Sequence, residues 1–357
     1  MRNKMKRRVT SLAVAGMVSA CVATTAGLGT AAADAGSDPI IASNALLASP
    51  VSDDGSKIVS GTINGQSIVL SVYSAAMDKN ITVNVQRPAD ASVPRPVLYL
   101  LNGAGGGEDI ATWQHNTNIY DMLAQKNANI VMPLGGRWAY YTDWQQDDPT
   151  LGRNKWETFL LDELPPLVNA ALGTNGVQAI AANSMTATSV LNLAEMRPGF
   201  YSAVAGYSGC AQTSDPTGKQ FVKMVTEAYG GGKVSNMWGP DGDPDWIAHD
   251  PVVNAEKLRG TNLFISSGSG LPGPHDALGD PTMMNPTSAG LANQIIVGGI
   301  IEAATSYCTH NLQNKLAQLG IPATFDLPVT GTHSWGYWQD SFDASWPQLA
   351  AGMGIDQ

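Results

Sequence analysis

Val177-Gln-Ala-Ile-Ala-Ala-Asn-Ser-Met-Thr186 decides how this chain is read. The apolar run Val177–Ala182 predicts a strand buried on both faces, and Asn183-Ser184-Met185 predicts a sharp turn before a helix that opens at Thr186. A serine on such a turn is held out over the sheet edge, where its oxygen can attack a carbonyl carbon. The N–H of the next residue, Met185, then points at the oxygen that becomes negative. A buried serine that only caps the helix is the plainer alternative. The glycines that usually flank such a turn are absent here.

Outward from this turn, strand and helix patterns alternate. Ile68–Tyr73 and Ile81–Val85 alternate apolar and polar residues and read as an antiparallel pair at a sheet edge. Val97–Leu101, Ile130–Met132, Ala203–Tyr207, Leu263–Ser266 and Thr324–Leu327 read as further strands. Helical patterns fall at Asn118–Gln125, Trp156–Ala171, Thr186–Ala194, Lys219–Tyr229 and Ala292–Leu319. This alternation predicts an α/β fold with a doubly wound, mostly parallel sheet and helices on both faces. In such sheets chemistry collects in loops at the carboxyl ends of the strands. Asn102–Gly107, Pro133–Gly136, Ser184, Gly268–Asp276 and Thr332–Trp335 all follow predicted strands.

The start of the chain reads as a leader. Arg2, Lys4, Lys6, Arg7 and Arg8 form a basic stretch, Val9–Val22 is apolar, and small residues run to Ala33. Residues 1–35 therefore read as a secretory signal, cleaved after Ala33 or Ala35. Thr10, Ser11, Gly16 and Ser19 interrupt the apolar run and argue against a transmembrane helix. Val18-Ser-Ala-Cys21 has the form of a lipoprotein cleavage site, so lipidation of Cys21 is the alternative. Residues 36–60 read as a flexible arm and 61–357 as one domain. Cleavage after Ala33 removes five of the 20 basic residues and leaves 15 against 30 acidic ones, a net charge of about −15. That balance argues against nucleic acid and anionic membranes as partners. Cys210 and Cys308 then remain as an even pair in an oxidising compartment, which predicts a disulfide. No Cys-x-x-Cys or His-x-x-x-His spacing occurs, so neither metal nor cofactor is expected.

Ser184 needs a base, and the chain has five histidines. His333, in Gly331-Thr-His-Ser-Trp335 after the last predicted strand, sits where an α/β-hydrolase fold places its base. Two acids compete to orient it: Asp276 in a Gly/Pro-rich loop, and Glu302 in the apolar helical segment Ile301–Ser306. An acid among apolar neighbours usually has a partner, because an unpaired buried charge is costly. The residues alone leave both open. The oxyanion hole takes Met185 N–H and a second donor from the Asn102–Gly107 loop, best supplied by Ala104 N–H.

Several long words stand in order along the chain. They are Leu100-Leu-Asn-Gly103, Asp109 to Trp113, Val131-Met-Pro-Leu-Gly-Gly136, Tyr141-Thr-Asp-Trp144, Lys155-Trp-Glu-Thr-Phe-Leu160, Ser184-Met185, Asn236-Met-Trp-Gly-Pro240 and Gly331-Thr-His-Ser-Trp335 with Tyr337-Trp338. Together, from about Val69 to Leu349, they resemble the secreted mycolyltransferases of the antigen 85 type, including their corynebacterial relatives. The resemblance implies an α/β-hydrolase fold. It also settles the acid, because the family's catalytic glutamate matches Ile301-Glu302, 31 residues before His333. Ser184, Glu302 and His333 are the implied triad, Ala104 and Met185 supply the hole, and Asp276 becomes a substrate-side candidate. Asn102, Asn116 and Trp335 are further candidates to meet substrate. Asn102 and Gly105 stand where mycobacterial members carry Asp and Arg, so two charges on the sugar grip are missing.

The implied reaction moves a mycoloyl group from trehalose monomycolate, through an acyl-enzyme, to a second hydroxyl on another trehalose ester, cell-wall arabinan or a protein serine. An apolar tunnel near Phe221–Tyr229 and Ile295–Ile301 would hold the chain. A monomer acting at the cell envelope is expected. The competing readings are a secreted carboxylesterase and a surface protein with no catalysis that binds fibronectin.

Overall fold

A computed structural model describes residues 40–41, 52–88 and 90–356. The signal at 1–35, Cys21 and most of the 36–60 arm lie outside the described residues.

The predicted buried strands form because their apolar residues run unbroken, with no polar face to leave in water. Every residue of β5 (Val97–Leu101), β6 (Asn129–Pro133) and β7 (Gln178–Asn183) is buried. They join β1 (Ile40–Ile41), β2 (Lys57–Asn64), β3 (Ser67–Ser74), β4 (Lys79–Gln86), β8 (Tyr201–Tyr207), β9 (Asn262–Ser266) and β10 (Thr324–Asp326). One ten-stranded sheet runs in the order β1-β2-β3-β4-β6-β5-β7-β8-β9-β10. The pairings among β1–β4, and of β4 with β6, are antiparallel; those from β6 to β10 are parallel. β2 begins at Lys57, so sheet structure reaches into the stretch read as a flexible arm. Its face is mostly exposed, which hid the strand from an apolar-pattern reading.

The chain leaves β5 to one side, for β6, and then crosses to the other, for β7. That reversal opens a crevice between the carboxyl ends of β5 and β7. The loop after β5 starts at Asn102 and the turn after β7 holds Ser184, so both flank it.

Alternate residues of the central strands feed two cores. Tyr99, Leu101, Ile180, Ala182 and Val204 enter one, with α1 (Leu164–Leu172) and α2 (Met185–Met196). Leu98, Leu100, Ala179, Ala181, Ala203 and Ala205 enter the other. The small alanines on that face leave room for α5 (Trp335–Met353), whose Trp338, Phe342 and Trp346 fill it. This helix is absent from the sequence-based expectation. Its aromatics and Pro347 mask the helical pattern, and packing against the sheet overrides propensity. The remaining long helices are α3 (Pro216–Lys223) and α4 (Gly299–Leu319). Phe342 is fully buried and touches Trp113, Tyr207 and Trp346. Phe342→Ala is expected to lower stability by about 3–5 kcal/mol in urea unfolding, through the cavity it leaves.

Candidate active site

Ser184 adopts φ 59°, ψ −136°, a backbone region that L-residues rarely enter. Such strain persists only where surrounding structure enforces it. Here Ser184 N–H is held by the Tyr207 carbonyl at 2.8 Å. Positions 182 and 186, where glycine is usual, are Ala and Thr. Room for the turn comes from elsewhere in the chain. A Cβ on Gly103 would sit 3.3 Å from Ser184 Cβ, and one on Gly209 would sit 2.7 Å from Ala187 Cβ. Thr186 uses its hydroxyl, which donates to the Asn102 carbonyl at 2.7 Å. The missing glycines are thus supplied by the loops after β5 and β8.

His333 Nε2 lies 2.8 Å from Ser184 Oγ, and His333 Nδ1 lies 2.8 Å from Glu302 Oε2. A carboxylate can only accept, so Nδ1 carries the proton and Nε2 faces the serine as an acceptor. Trp338 meets the imidazole edge to face at 4.9 Å. Glu302 is 1 % exposed. Its other oxygen accepts from Ser208 Oγ at 2.8 Å, Ser267 Oγ at 3.0 Å and Gly268 N–H at 2.6 Å. Trp338 Nε1 donates to Ser208 Oγ at 3.0 Å. Sequence reasoning missed Ser208, Ser267 and Gly268. The one signal for them is their place directly after β8 and β9.

Cys210 and Cys308 form the expected disulfide, with Cα atoms 4.9 Å apart and a sequence separation of 98. It joins α4, which carries Glu302, to the segment after β8, which carries Ser208.

The loop after β5 lies against the nucleophile through Gly103. Among the described residues, neither Ala104 N–H nor Met185 N–H has an acceptor. Two free amides beside the serine suit an oxygen that gains negative charge.

The other expected contacts fall differently. Asn116 is buried, and its amide donates to the Ile110 and Thr112 carbonyls. Trp335 is buried against Trp113 and Trp338, and its Nε1 donates to Met284 Sδ. Trp335 packs in the second core and the Asn116 amide is spent on backbone carbonyls, so neither presents itself to a sugar. Asn102 is buried and accepts from Trp113 N–H. It lines a cavity of about 500 Å³ with Asn84, Asp109, Gln114 and His115, which neither Ser184 nor His333 lines. Asp276 accepts from Thr332 Oγ1 at 2.7 Å, Tyr337 Oη at 2.6 Å, Gln294 Nε2 at 2.9 Å and Gly273 N–H at 2.9 Å. Burial raises its pKa, but these four bonds outweigh that and hold it below the usual carboxylate range. Asp276 is therefore a strut under the loop that carries His333. Of the segments expected to line the apolar tunnel, Met224, Tyr229, Ile296 and Ile300 are exposed.

Fold and site together define an α/β-hydrolase with a serine, histidine and glutamate in one hydrogen-bonded line. Residues 74–349 match the family described as "Putative esterase", and the chain belongs to that family. It is 31% identical over 294 residues to the diacylglycerol acyltransferase/mycolyltransferase Ag85A of Mycobacterium tuberculosis, covering 80% of this chain and 81% of that one. It is 31% identical over 288 residues to Ag85B of Mycobacterium leprae, covering 78% and 82%. The crystal structure of Mycobacterium tuberculosis MPT51 (FbpC1) superposes with a TM-score of 0.65 at 26% identity, covering 80% of this chain and 97% of that one. The resemblance read from the sequence words holds.

Two predictions follow from this geometry. Replacing both Cys210 and Cys308 by Ala is expected to lower stability by about 2–5 kcal/mol in urea unfolding, since the loop closed is long. Ester hydrolysis should fall as well, because α4 loses its tie to the Ser208 segment. Separately, His275 bridges Asp280 at 2.8 Å and Asp340 at 2.9 Å, with Tyr337 edge-on at 4.9 Å. Burial lowers its pKa, but Asp340 and Asp280 outweigh that and raise it above the usual histidine value. Its contribution is complete below the unfolded value of about 6.5 and is lost as pH rises through the raised folded value. Amide exchange at Gly273–Asp280 should therefore exceed its intrinsic increase with pH above neutrality. An His275→Gln variant should show no such excess.

Proposed function

We propose that this chain is a secreted serine acyltransferase. It moves a mycoloyl group from trehalose monomycolate to a second hydroxyl, on another trehalose ester, on arabinan or on a protein serine. Ser184 Oγ attacks the ester carbonyl as His333 Nε2 takes its proton. Glu302 holds the ring in the right tautomer and stabilises the imidazolium. The tetrahedral oxyanion rests on Ala104 and Met185 N–H. Collapse expels the trehalose oxygen, which takes the proton from His333. The acceptor hydroxyl then gives its proton to the same nitrogen, attacks the acyl-enzyme and frees Ser184.

The observation that carries the reading is the line Ser184–His333–Glu302, with both links at 2.8 Å. The names of the mycobacterial relatives support the acyl group and its transfer. Their acyl groups are long and apolar. Leu271, Ile296, Ile300 and Val329 offer matching surface, all more than half exposed. They flank the His333 loop, since Gly331 N–H bonds the Leu271 carbonyl and His333 N–H the Gly298 carbonyl. Apolar substrate lying there would shed water from the deacylation step, which favours transfer over hydrolysis. The basic leader and the oxidised cysteine pair support export to the cell envelope. The esterase description of the matched family supports a second reading, in which water accepts the acyl group.

Labelled trehalose monomycolate with an excess of hydroxyl acceptor separates the two. Acylated acceptor supports transfer, whereas free acid alone would replace it with hydrolysis. Ser184→Ala should keep the fold, form no acyl-enzyme by mass spectrometry, and lower kcat on the order of 10⁵–10⁶-fold. Persistent acylation of that variant would remove Ser184 from the mechanism.

A further inference from the structure

We propose that Trp138 and Tyr229 form an aromatic platform for a sugar ring of the substrate, beside the candidate oxyanion hole. The proposal rests on the acyl-transfer reading for the identity of the sugar. The loop holding Trp138 runs along the loop after β5. Gly135 N–H donates to the Gly106 carbonyl at 2.8 Å, and Trp138 N–H donates to the Ala104 carbonyl at 2.8 Å. A Cβ on Gly106 would meet the Gly135 oxygen at 2.4 Å, so only glycine permits this contact. Trp138 is thus tied to the residue whose own N–H is offered to the oxyanion.

The placement of this tryptophan is enforced. It sits at φ 59°, unfavourable for a bulky L-residue. Thr226 Oγ1 donates to its carbonyl at 3.1 Å. Gly230 makes room for it, since a Cβ there would lie 2.5 Å from Trp138 Cβ. Its ring lies nearly parallel to Tyr229, at 16° with centroids 6.0 Å apart. Tyr229 closes the π-helical turn Met224–Tyr229 and is 58% exposed. Strain held at a rim, with a large aromatic left in water, is more common at binding sites than in packing.

The surroundings select the ligand. Asn102-Gly-Ala-Gly-Gly-Gly107 has no charged side chain. The charges beside it are Asp109, whose carboxylate lies against Gly105, and Arg137 and Glu108, an exposed pair 3.7 Å apart. An exposed pair of this kind adds little to stability and is free to turn towards hydroxyl groups. Flat aromatic faces beside donors and acceptors suit a hexose, which presents C–H groups on its faces and hydroxyls at its edge. A hydrocarbon chain would gain nothing from Arg137 and Glu108, and it has the aliphatic surface on the His333 side.

Two measurements test this. In the first, purified protein is given a trehalose ester and a p-nitrophenyl ester of the same fatty acid. Trp138→Ala and Tyr229→Ala should each lower the ratio of kcat/KM for trehalose ester over p-nitrophenyl ester about tenfold, mainly through KM, and Trp138→Phe should restore most of it. An unchanged ratio overturns the platform, whether both substrates suffer equally or neither does. In the second, trehalose binding is followed by calorimetry, which needs no turnover. Wild type that turns over neither ester but binds trehalose in a Trp138-dependent way keeps the platform and overturns acyl transfer. Trehalose binding that is absent, or unaltered in both alanine variants, overturns the platform.

Discussion

A single buried carboxylate organises the candidate site. Glu302 is taken out of water, and an acid in that position must find donors or be destabilising. It finds four: Ser208, Ser267, the Gly268 amide and His333. Those donors come from the ends of β8 and β9 and from the loop before α5. Satisfying one side chain therefore locks three separate segments to α4. The imidazole is the only one of the four that can pass the constraint on to Ser184, and it does so at 2.8 Å. The disulfide and the Asp276 strut act on the same assembly, one from the middle of α4 and one from beneath the His333 loop.

Much of this was readable from residues. Continuous apolar runs predict the buried strands, and the order of words after strands predicts where the site gathers. Ser184 and His333 were candidates from position alone. Glu302 and Asp276 could not be separated by composition, because each is an acid near the right place. The difference lies in which donors surround them, and those come from parts of the chain remote in sequence. The turn at Ser184 was ambiguous for a similar reason. Its glycines are neighbours in space, Gly103 and Gly209, so a local motif could not contain them.

The misreadings share a cause. Asn116 and Trp335 were expected to meet substrate because they match the family's residues, the tryptophan also as an aromatic for a sugar face. Burial of Trp335 in the second core and the bonds of Asn116 to backbone carbonyls give them packing roles instead. α5 was missed because its aromatic residues answer alanines on β7 and β8 rather than a local helical pattern. Tyr229 and Ile296 were expected in the lining of an apolar tunnel. Both lie in π-helical turns, Met224–Tyr229 and Gln294–Gly298, whose altered pitch turns apolar side chains to the surface. Such turns recur at functional sites and leave no clear mark in sequence.

The order of the three site residues has a consequence for biogenesis. Ser184 precedes its base by 149 positions, and the acid and Cys308 fall late in that interval. If the chain is exported amino end first, as proposed, its alcohol emerges long before the proposed base. On that reading the serine stays chemically ordinary until His333 has followed, and esters met during passage would be left untouched. Linear order would then act as a delay on reactivity.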